Sequence, residues 1–389
     1  MHAAFRITPT SFPPPAVGNS TSGRPCRKAV GTRSIVPPME RELTCRHCNT
    51  RNRLDVEEAL GSPEKARCGR CKGNLFLGAG DVFAALDPRS YEHPLDRQAL
   101  EALRRVPGTG TFLRFLLKHG LDRTYRLLMK QNFLEARPDR LKSIHKLVRE
   151  TTETLDLGSV PETYIVQHPL PNAWTTGVER YQLCLTTSLI ELLDEAELRA
   201  VIAHEVGHMQ AGHVLYKTAA AILYYIIGTL VSRATPLAGP ILLGMYFAFR
   251  KWERCSELTA DRAELLVTRS HRTCLRTHLK LASGSPKTIP ELDVEHLLAQ
   301  AKEVEELSEQ NWLDQLIVDW QQAGMTHPFL VWRAKHIDEW AHSPELWDVL
   351  SGNYRRRPPA KVKVVDADIP EEKPGKFKKL LDDLKDLFK

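Results

Sequence analysis

The stretch HEVGHMQAGH, residues 204–213, constrains the fold more than any other part of the sequence. His204 and His208 are four residues apart, so an α-helix places their rings side by side on neighbouring turns. Glu205 stands between them, where its carboxylate reaches a water molecule next to a metal ion held by both imidazoles. The spacing therefore predicts a helix with a zinc site on its inner face, with His204 and His208 as ligands and Glu205 as the catalytic base.

The sequence before the motif predicts where this helix begins. Asp194 and Glu197 form a D-x-x-E pattern, which is typical of an N-cap with a reciprocal partner at the third helical position. Apolar residues then recur on the same face as the motif, which predicts that this face is turned toward the core. They are Leu198, Val201, Ile202 and Met209.

The third histidine of the stretch, His213, does not have the spacing of a third ligand on the same helix. If the helix continues without interruption, His213 lies about 140° around the axis from His208, at about 100° per residue. It is then either a surface histidine or one that lies behind the ligands. Either position requires the third ligand to come from elsewhere in the chain.

The segment CSELTADRAELL provides the best candidate for that ligand. Glu257 and Asp261 are four residues apart on a helical pattern and share one face. A carboxylate from a second helix completes a His-His-Glu site and leaves the fourth position to water. Asp261 can then accept the free ring N–H of a ligand histidine, and His204 is the expected partner. The alternative is that both carboxylates belong to a solvated acidic face.

Two CxxC pairs near the beginning of the chain predict a second zinc site. Nineteen residues separate the pairs, and four thiolates at this spacing form a closed tetrahedral site on two tight turns. A redox-active dithiol is the alternative. The "NRL" after the first pair and the "RCGRC" at the second resemble the zinc ribbon of some bacterial thioredoxins, and the resemblance ends with the ribbon. Such a ribbon is a folding element or a docking site for a protein partner. Its ligands are Cys45, Cys48, Cys68 and Cys71.

The remaining patterns predict a mainly α protein with a small antiparallel β-sheet, in the α+β class. TYIVQH (163–168) and YQLCLTT (181–187) are expected to form an antiparallel pair of strands. We expect a disordered or upstream extension over 1–38, a zinc ribbon over 39–77, a linker with one short helix over 78–111, a metallopeptidase domain over 112–354, a linker over 355–375 and an amphipathic helix over 376–389.

Four segments, taken in order, resemble the gluzincin peptidases that include the bacterial heat-shock protease HtpX and the eukaryotic CAAX prenyl protease. They are PETYIVQHPLPNAW, TTSLIELLDEAELRAVIAHEVGHMQAGH, SELTADR and THPFLVWRAKHI. The resemblance covers about residues 112–354. It implies a zinc endopeptidase with His204, His208 and Glu257 as metal ligands and Glu205 as the base.

The resemblance also implies roles in substrate recognition. Asn172 and Ala173 would align the substrate backbone, His327 would stabilise the oxyanion, and Arg333 would belong to the substrate-binding set. A polypeptide held along an edge strand by backbone hydrogen bonds is recognised with little sequence preference. Unfolded or misfolded segments are therefore expected substrates, and membrane-associated proteins are the other expected class. The alternative function is a catalytically weak scaffold or adaptor, although the intact Glu205 speaks against it.

Residues 218–249 raise the question of membrane contact. Arg233 separates two uncharged stretches of about 15 residues, each about 22 Å long as a helix, against about 30 Å of hydrocarbon. The hairpin can dip into one leaflet, pack inside the fold or line an oligomer contact. Residues 376–389 form an amphipathic stripe that suits a membrane surface or the chain's own domain. We expect a cytoplasmic protein, reversibly bound to the inner face of a membrane.

Charge and cysteine usage agree with this placement. A net charge of +6 is small for 389 residues and gives no indication of a specific nucleic-acid partner. The four cysteines outside the two pairs are scattered, which fits a reducing compartment better than a disulfide framework. Residues 1–38 carry basic residues, no acidic ones and no apolar run that would mark a secretory signal, and Met39 is the expected start.

Overall fold

The structure is a computed structural model that describes residues 40–358, except 46, 63–64, 77–81, 119–120, 178–179, 231–238 and 309–328. The described residues all belong to one compact unit. The predicted N-terminal extension, most of the second linker and the terminal amphipathic helix lie outside the described residues.

The described residues form thirteen helices and six strands, apart from two short 3₁₀ turns, so the mainly α fold class with small sheets is confirmed. The helices are α1 Val56–Gly61, α2 Pro94–Arg105, α3 Thr109–Lys118, α4 Leu121–Asn132, α5 Lys142–Thr154, α6 Thr187–Leu192, α7 Glu195–Gln210, α8 His213–Leu230, α9 Gly239–Thr268, α10 His271–Ser283, α11 Val294–Ser308, α12 Leu330–Ala341 and α13 Pro344–Leu350. The strands are β1 Glu40–Thr44, β2 Arg51–Asp55, β3 Leu134–Ala136, β4 Glu162–Val166, β5 Ala173–Thr176 and β6 Gln182–Thr186.

The larger sheet is mixed, with strand order β3-β4-β6-β5. Strands β4 and β6 run parallel, so the expected antiparallel pairing of these two segments is wrong. The reason is the intervening strand β5, which the sequence pattern did not show. It lies antiparallel to β6, and the chain therefore reverses direction twice between β4 and β6. This order leaves β5 at an edge of the sheet.

Helix α7 begins as the sequence predicts. The Asp194 carboxylate accepts the Glu197 N–H at 2.9 Å, and the Glu197 carboxylate accepts the Asp194 N–H at 2.9 Å, so the capping box is confirmed. The sequence predicts that only one face of α7 is turned toward the core, and the structure buries more of the helix than that. Every residue from Ala200 to Met209 is buried, so neighbours surround the helix on all sides in this part.

Gly207 allows α7 and α9 to pack closely. A Cβ added at Gly207 would lie 2.6 Å from the Cβ of Ala263 and 3.3 Å from the Cα of Ala260. Real Cβ atoms essentially never come that close, so no larger residue fits without a shift of the two helices. This contact brings the part of α9 that carries Glu257 and Asp261 against the metal-binding motif.

Helix α2 lies in the segment that the sequence predicts to be a linker, and it packs into the fold. Together with α3, α8 and α9 it forms an apolar cluster that contains Leu103, Phe112, Phe249 and Trp252. Helices α8 and α9 are the two arms of the predicted hairpin, whose tip lies outside the described residues. Two large apolar side chains of α9 stay exposed, Leu243 at 51% and Phe247 at 45%. Among the described residues, no helix is long and apolar enough to cross a membrane.

The cysteine-bearing segment packs against the C-terminal helices. The rings of Phe76 and Trp347 pack at a tilt of 57° with centroids 5.5 Å apart, and Arg41 donates to the carbonyl of His342 at 3.0 Å. The apolar residues of this segment belong to the same buried cluster as the residues around α7. The segment and the peptidase helices therefore share one core.

Candidate metal centre and active site

Three buried side chains converge between α7 and α9. His204 Nε2 lies 3.2 Å from Glu257 Oε2, and His208 Nε2 lies 3.2 Å from Glu257 Oε1. The two imidazole rings are 4.8 Å apart at 87°. Two ligands that share a tetrahedral zinc ion are about 3.4 Å apart, given bonds of about 2.1 Å. The three side chains therefore fit a zinc ion as the ligand set expected from the sequence.

The sequence predicts that Asp261 fixes His204, and the structure places it accordingly. Asp261 Oδ1 accepts from His204 Nδ1 at 2.9 Å, so the Nε2 of the same ring faces the ligand set. Burial alone would lower the pKa of His204. The hydrogen-bonded carboxylates of Asp261 and Glu257 outweigh it and raise that pKa to about 9. A metal that binds this ring must therefore displace a proton near neutral pH.

Arg333, which the family resemblance assigns to substrate binding, lies beside the candidate metal ligands. Its side chain is buried, with Nε 2.8 Å from Asp261 Oδ2 and Nη1 3.1 Å from Glu257 Oε2. Although burial opposes the charge, this guanidinium holds the pKa of Asp261 far below its usual range. Arg333 therefore touches both carboxylates of the candidate metal site, that of the expected ligand Glu257 and that of Asp261. A role in substrate binding, which the family resemblance implies, stays a prediction.

His213 lies behind His208 because the helix is interrupted. Helix α7 ends at Gln210, Gly212 adopts a left-handed φ of 74°, and α8 begins at His213. Of the two positions left open, the structure gives the one behind the ligands. His213 is 3% exposed, and its Nδ1 lies 2.9 Å from His208 Nδ1. The estimate of 140° assumed a continuous helix and does not apply.

Asp96 of α2 extends this contact by one residue. Its Oδ2 lies 3.1 Å from His213 Nε2 and also accepts from the hydroxyl of Thr259. Asp96 is fully buried, and burial raises a carboxyl pKa, but His213 and Thr259 keep the pKa of Asp96 below its usual value. Sequence reasoning missed this residue. The only signal was an acidic residue in the first turn of a short helix, which is common without any such role.

Glu205 faces the sheet. It is 1% exposed, and its Oε2 accepts from the hydroxyl of Thr175 at 2.7 Å. Thr175 lies on the edge strand β5, which follows Asn172 directly and begins at Ala173. Asn172 is half-buried, whereas the Ala173 side chain is buried and can meet a substrate only through its backbone. Thr175 was not among the predicted site residues.

Lys217 was not predicted as a site residue either. Its Nζ lies 2.7 Å from Glu257 Oε1 and 3.0 Å from His208 Nε2. The pKa of His208 lies well below its usual value. Burial is the main cause, and the positive charge of Lys217 is the second. His327, the predicted oxyanion residue, lies outside the described residues.

A family comparison settles the class of this chain. The model of peptidase family M48 matches residues 138–341, which is more than half of the sequence. The chain belongs to peptidase family M48. The match contains His204, Glu205, His208, Glu257, Asp261 and Arg333. It begins after the cysteine pairs and after helix α2.

Relatives of known description agree with the M48 assignment. Plastoglobule-localized metallopeptidase 48, chloroplastic, from Arabidopsis thaliana is 33% identical over 287 residues, which is 72% of this chain and 80% of that protein. A protease HtpX homolog from Caldanaerobacter subterraneus subsp. tengcongensis is 32% identical over 94 residues, 24% of this chain and 31% of that protein. The crystal structure of S. mikatae Ste24p covers 49% of each chain at 16% identity with a TM-score of 0.28, too low to bear on the fold. The M48 relatives make this chain a metallopeptidase homologue.

The four cysteines of the predicted ribbon converge outside the M48 match. Cys45 Sγ lies 3.6 Å from Cys71 Sγ, and Cys48 Sγ lies 3.6 Å from Cys68 Sγ. A disulfide would need about 2.0 Å, whereas thiolates around one zinc ion are about 3.8 Å apart. Backbone N–H groups, first that of Cys71, lower the pKa of Cys68 to about 6, which favours the thiolate form. The cluster therefore fits a four-thiolate metal site.

Proposed function

We propose that this chain is a zinc-dependent endopeptidase that cleaves extended segments of unfolded polypeptides. One observation carries the proposal. His204, His208 and Glu257 converge within 4.8 Å, and Glu205, on the same helix as the two histidines, contacts the edge strand β5. Three ligands leave one coordination position for the reaction, which distinguishes a catalytic zinc site from a structural one.

The chemistry follows from the positions of the side chains. A zinc ion held by His204, His208 and Glu257 would supply a Lewis acid that polarises the scissile carbonyl and acidifies the attacking water. Glu205 accepts the proton of that water and delivers it to the leaving amine. Thr175 donates to one carboxylate oxygen of Glu205 and holds it in place, so the other oxygen is directed to the reaction. Asp261 and Arg333 keep His204 and Glu257 in their ligand orientations.

The edge strand β5 is the proposed substrate platform. Among the described strands it pairs with β6 alone, and the addition of an extended peptide to such an edge strand is a common way to bind a polypeptide. A substrate held in this way lies next to Glu205, because Thr175 belongs to the same strand. Backbone pairing selects an extended conformation rather than a sequence, which favours unfolded segments over folded proteins.

Two variants test the function. Glu205→Gln should lower the rate of casein cleavage by about 10³-fold, because the general base is lost, while metal content stays that of the wild type. Glu257→Ala should lose both cleavage and one metal equivalent, because a ligand is removed. Wild-type cleavage by Glu205→Gln, or cleavage by the wild type that survives complete removal of metal by a chelator, would refute the proposal.

We further propose that the α8–α9 hairpin binds a membrane surface. The exposed Leu243 and Phe247 lie on α9 one turn apart, and the exposed Lys251 follows one turn later, so apolar and cationic groups share this part of the helix. The predicted amphipathic segment 376–389 would add a second attachment, and two weak signals hold a protein better than one.

Liposome flotation tests the membrane proposal. The full chain should float with vesicles that contain anionic lipid, and a chain that ends before Lys376 should float less. Replacement of Leu243 and Phe247 with serine should reduce flotation further and leave casein cleavage unchanged, because both side chains are remote from the metal centre. A full chain that remains lipid-free at low salt would contradict membrane binding and leave the peptidase proposal intact.

A further inference from the structure

The two ligand histidines receive their second hydrogen bonds in different ways. His204 donates directly to a carboxylate, that of Asp261. His208 instead contacts a second histidine, His213, which contacts the carboxylate of Asp96. The second chain of contacts leads out of the segment that matches the M48 model and into helix α2.

The donors and acceptors along this second chain have only one consistent arrangement. Since His208 directs Nε2 toward the ligand set, its proton is on Nδ1 and donates to His213 Nδ1. His213 must then accept at Nδ1 and carry its own proton on Nε2, where it donates to Asp96 Oδ2 at 3.1 Å. An ionised carboxylate can only accept, so Asp96 enforces this arrangement at the far end.

Asp96 is itself held in place. Its carboxylate accepts from the hydroxyl of Thr259, and that hydroxyl oxygen accepts the backbone N–H of His93 at 3.0 Å. Asp96 and Thr259 are fully buried, and the Trp252 ring packs edge-on against His213 with centroids 5.6 Å apart. Solvent therefore does not compete for these contacts, and the geometry is fixed by packing.

We propose that Asp96 is a positioning residue of the catalytic metal site, which acts on the ligand His208 through His213. The segment before the M48 match thus belongs to the active site. Outer partners of ligand histidines fix the ring orientation and raise the basicity of the ligand nitrogen, and their loss weakens metal binding by about 10–100-fold. This inference rests on the proposed function, since it requires a metal at His204, His208 and Glu257.

The test is cobalt binding to the metal-free full chain, measured in competition with a chelator. Cobalt at the His-His-Glu site gives weak visible bands, whereas cobalt at the four cysteines gives strong thiolate bands, so each molecule reports both sites. Asp96→Leu should weaken the first site by about 10–100-fold and leave the thiolate site unchanged. Asp87→Asn is the matched control, because Asp87 is equally buried but pairs with Arg89. It should change neither site.

A pair of variants at His213 covers the case in which Asp96→Leu does not fold. His213→Gln keeps an acceptor for His208 and a donor for Asp96, so it should retain most of the affinity and the visible spectrum. His213→Leu removes both and should lose affinity to the same extent as Asp96→Leu. Equal cobalt affinity and spectra for the leucine variants and the wild type would overturn the inference.

The proposed function fails in a different way. If the wild type shows no cobalt bands from the His-His-Glu site, or if Glu257→Ala retains them, the catalytic metal site itself is wrong. Loss of the bands in Glu257→Ala, together with wild-type binding by the leucine variants, would leave the metallopeptidase intact and refute only the role of Asp96.

Discussion

The cysteine cluster and the histidine–glutamate cluster bring metal-binding groups together by different means. The cysteines lie in tight turns, where Asn49 N–H donates to the Cys45 carbonyl at 2.8 Å and Lys72 N–H to the Cys68 carbonyl at 3.0 Å. Each pair is shaped by its own neighbours in sequence. The histidines and Glu257 lie on two long helices whose ligand residues are about 50 positions apart.

The difference teaches what each site depends on. Four thiolates close the coordination sphere and leave no place for a reaction, whereas two histidines and a glutamate leave one position open. Local turns suffice for the first site. The second site has the right ligand geometry only if the spacing between α7 and α9 is preserved. It also requires Asp261, Arg333 and His213 to hold the ligands in place. A perturbation of packing should therefore harm the catalytic site more than the cysteine site.

Loss of the cysteine site should have the largest effect on stability. Replacement of Cys45 and Cys68 with serine removes one ligand from each pair and should release one metal equivalent. Zinc binds four-ligand sites with about 10–16 kcal/mol at pH 7, and this segment shares the core of the peptidase helices. The melting temperature should fall strongly, as measured by calorimetry. The domain bounds expected from the sequence separate the ribbon from the peptidase domain by a linker, and an unchanged melting temperature would support that separation.

Gly207→Ala should have the next largest effect, and it should act on the histidine–glutamate cluster. The added methyl group meets Ala263, and overpacking of this kind costs about 1–3 kcal/mol. It should also lower metal affinity at the catalytic site and spare the cysteines. Gly244→Ala is the control on the partner helix α9, because nothing lies within 4 Å of its Cβ position. Chemical denaturation and cobalt titration of both variants measure the difference, and equal behaviour would argue against the close contact.

Arg333→Lys distinguishes a metal-centre role from a substrate role. Lysine keeps the charge but cannot contact Asp261 and Glu257 with a planar fork. We expect catalytic metal affinity to fall about tenfold, with KM for a peptide substrate nearly unchanged at saturating zinc. A raised KM with unchanged metal affinity would restore the substrate-binding role that the family resemblance implies.

Thr175→Val should lower the catalytic rate alone and leave stability and metal binding unchanged. It removes a hydrogen bond to a carboxylate, and such bonds contribute about 1.5–3 kcal/mol, so we expect kcat to fall about tenfold or somewhat more. Thr176→Val is the control on the same strand, since its hydroxyl contacts Gln182 at 3.2 Å and not the base. Steady-state kinetics of the two variants should separate, with metal content unchanged in both.

The sequence predicted local features well and tertiary ones incompletely. The capping box at Asp194, the spacing of His204 and His208, and the shared face of Glu257 and Asp261 all follow from helical periodicity within a few residues. The parallel pairing of β4 and β6 depended on a four-residue strand too short to show a pattern. Asp96 was missed because its partners are more than 100 residues away.

His213 shows why the sequence predicts local features and misses tertiary ones. Its identity and spacing were visible, but its direction depended on whether the helix continues. One left-handed glycine, Gly212, changed the outcome. Predictions from periodicity hold as long as an element is regular, and they fail where the chain turns.

Helix α9 is a single rod that begins at Gly239 in the hairpin and carries Glu257 further along. The 18 residues between them span about 27 Å. Such a rod acts as a lever with its fulcrum near the contact of Gly207 with Ala260. Glu257 lies three residues from this fulcrum, about 4.5 Å along the axis, so a tilt of about 2° that moves Gly239 by about 1 Å moves Glu257 by only about 0.2 Å. A partner that binds the exposed Leu243 and Phe247 can therefore pull on α9 while the candidate metal ligand in the core stays almost in place.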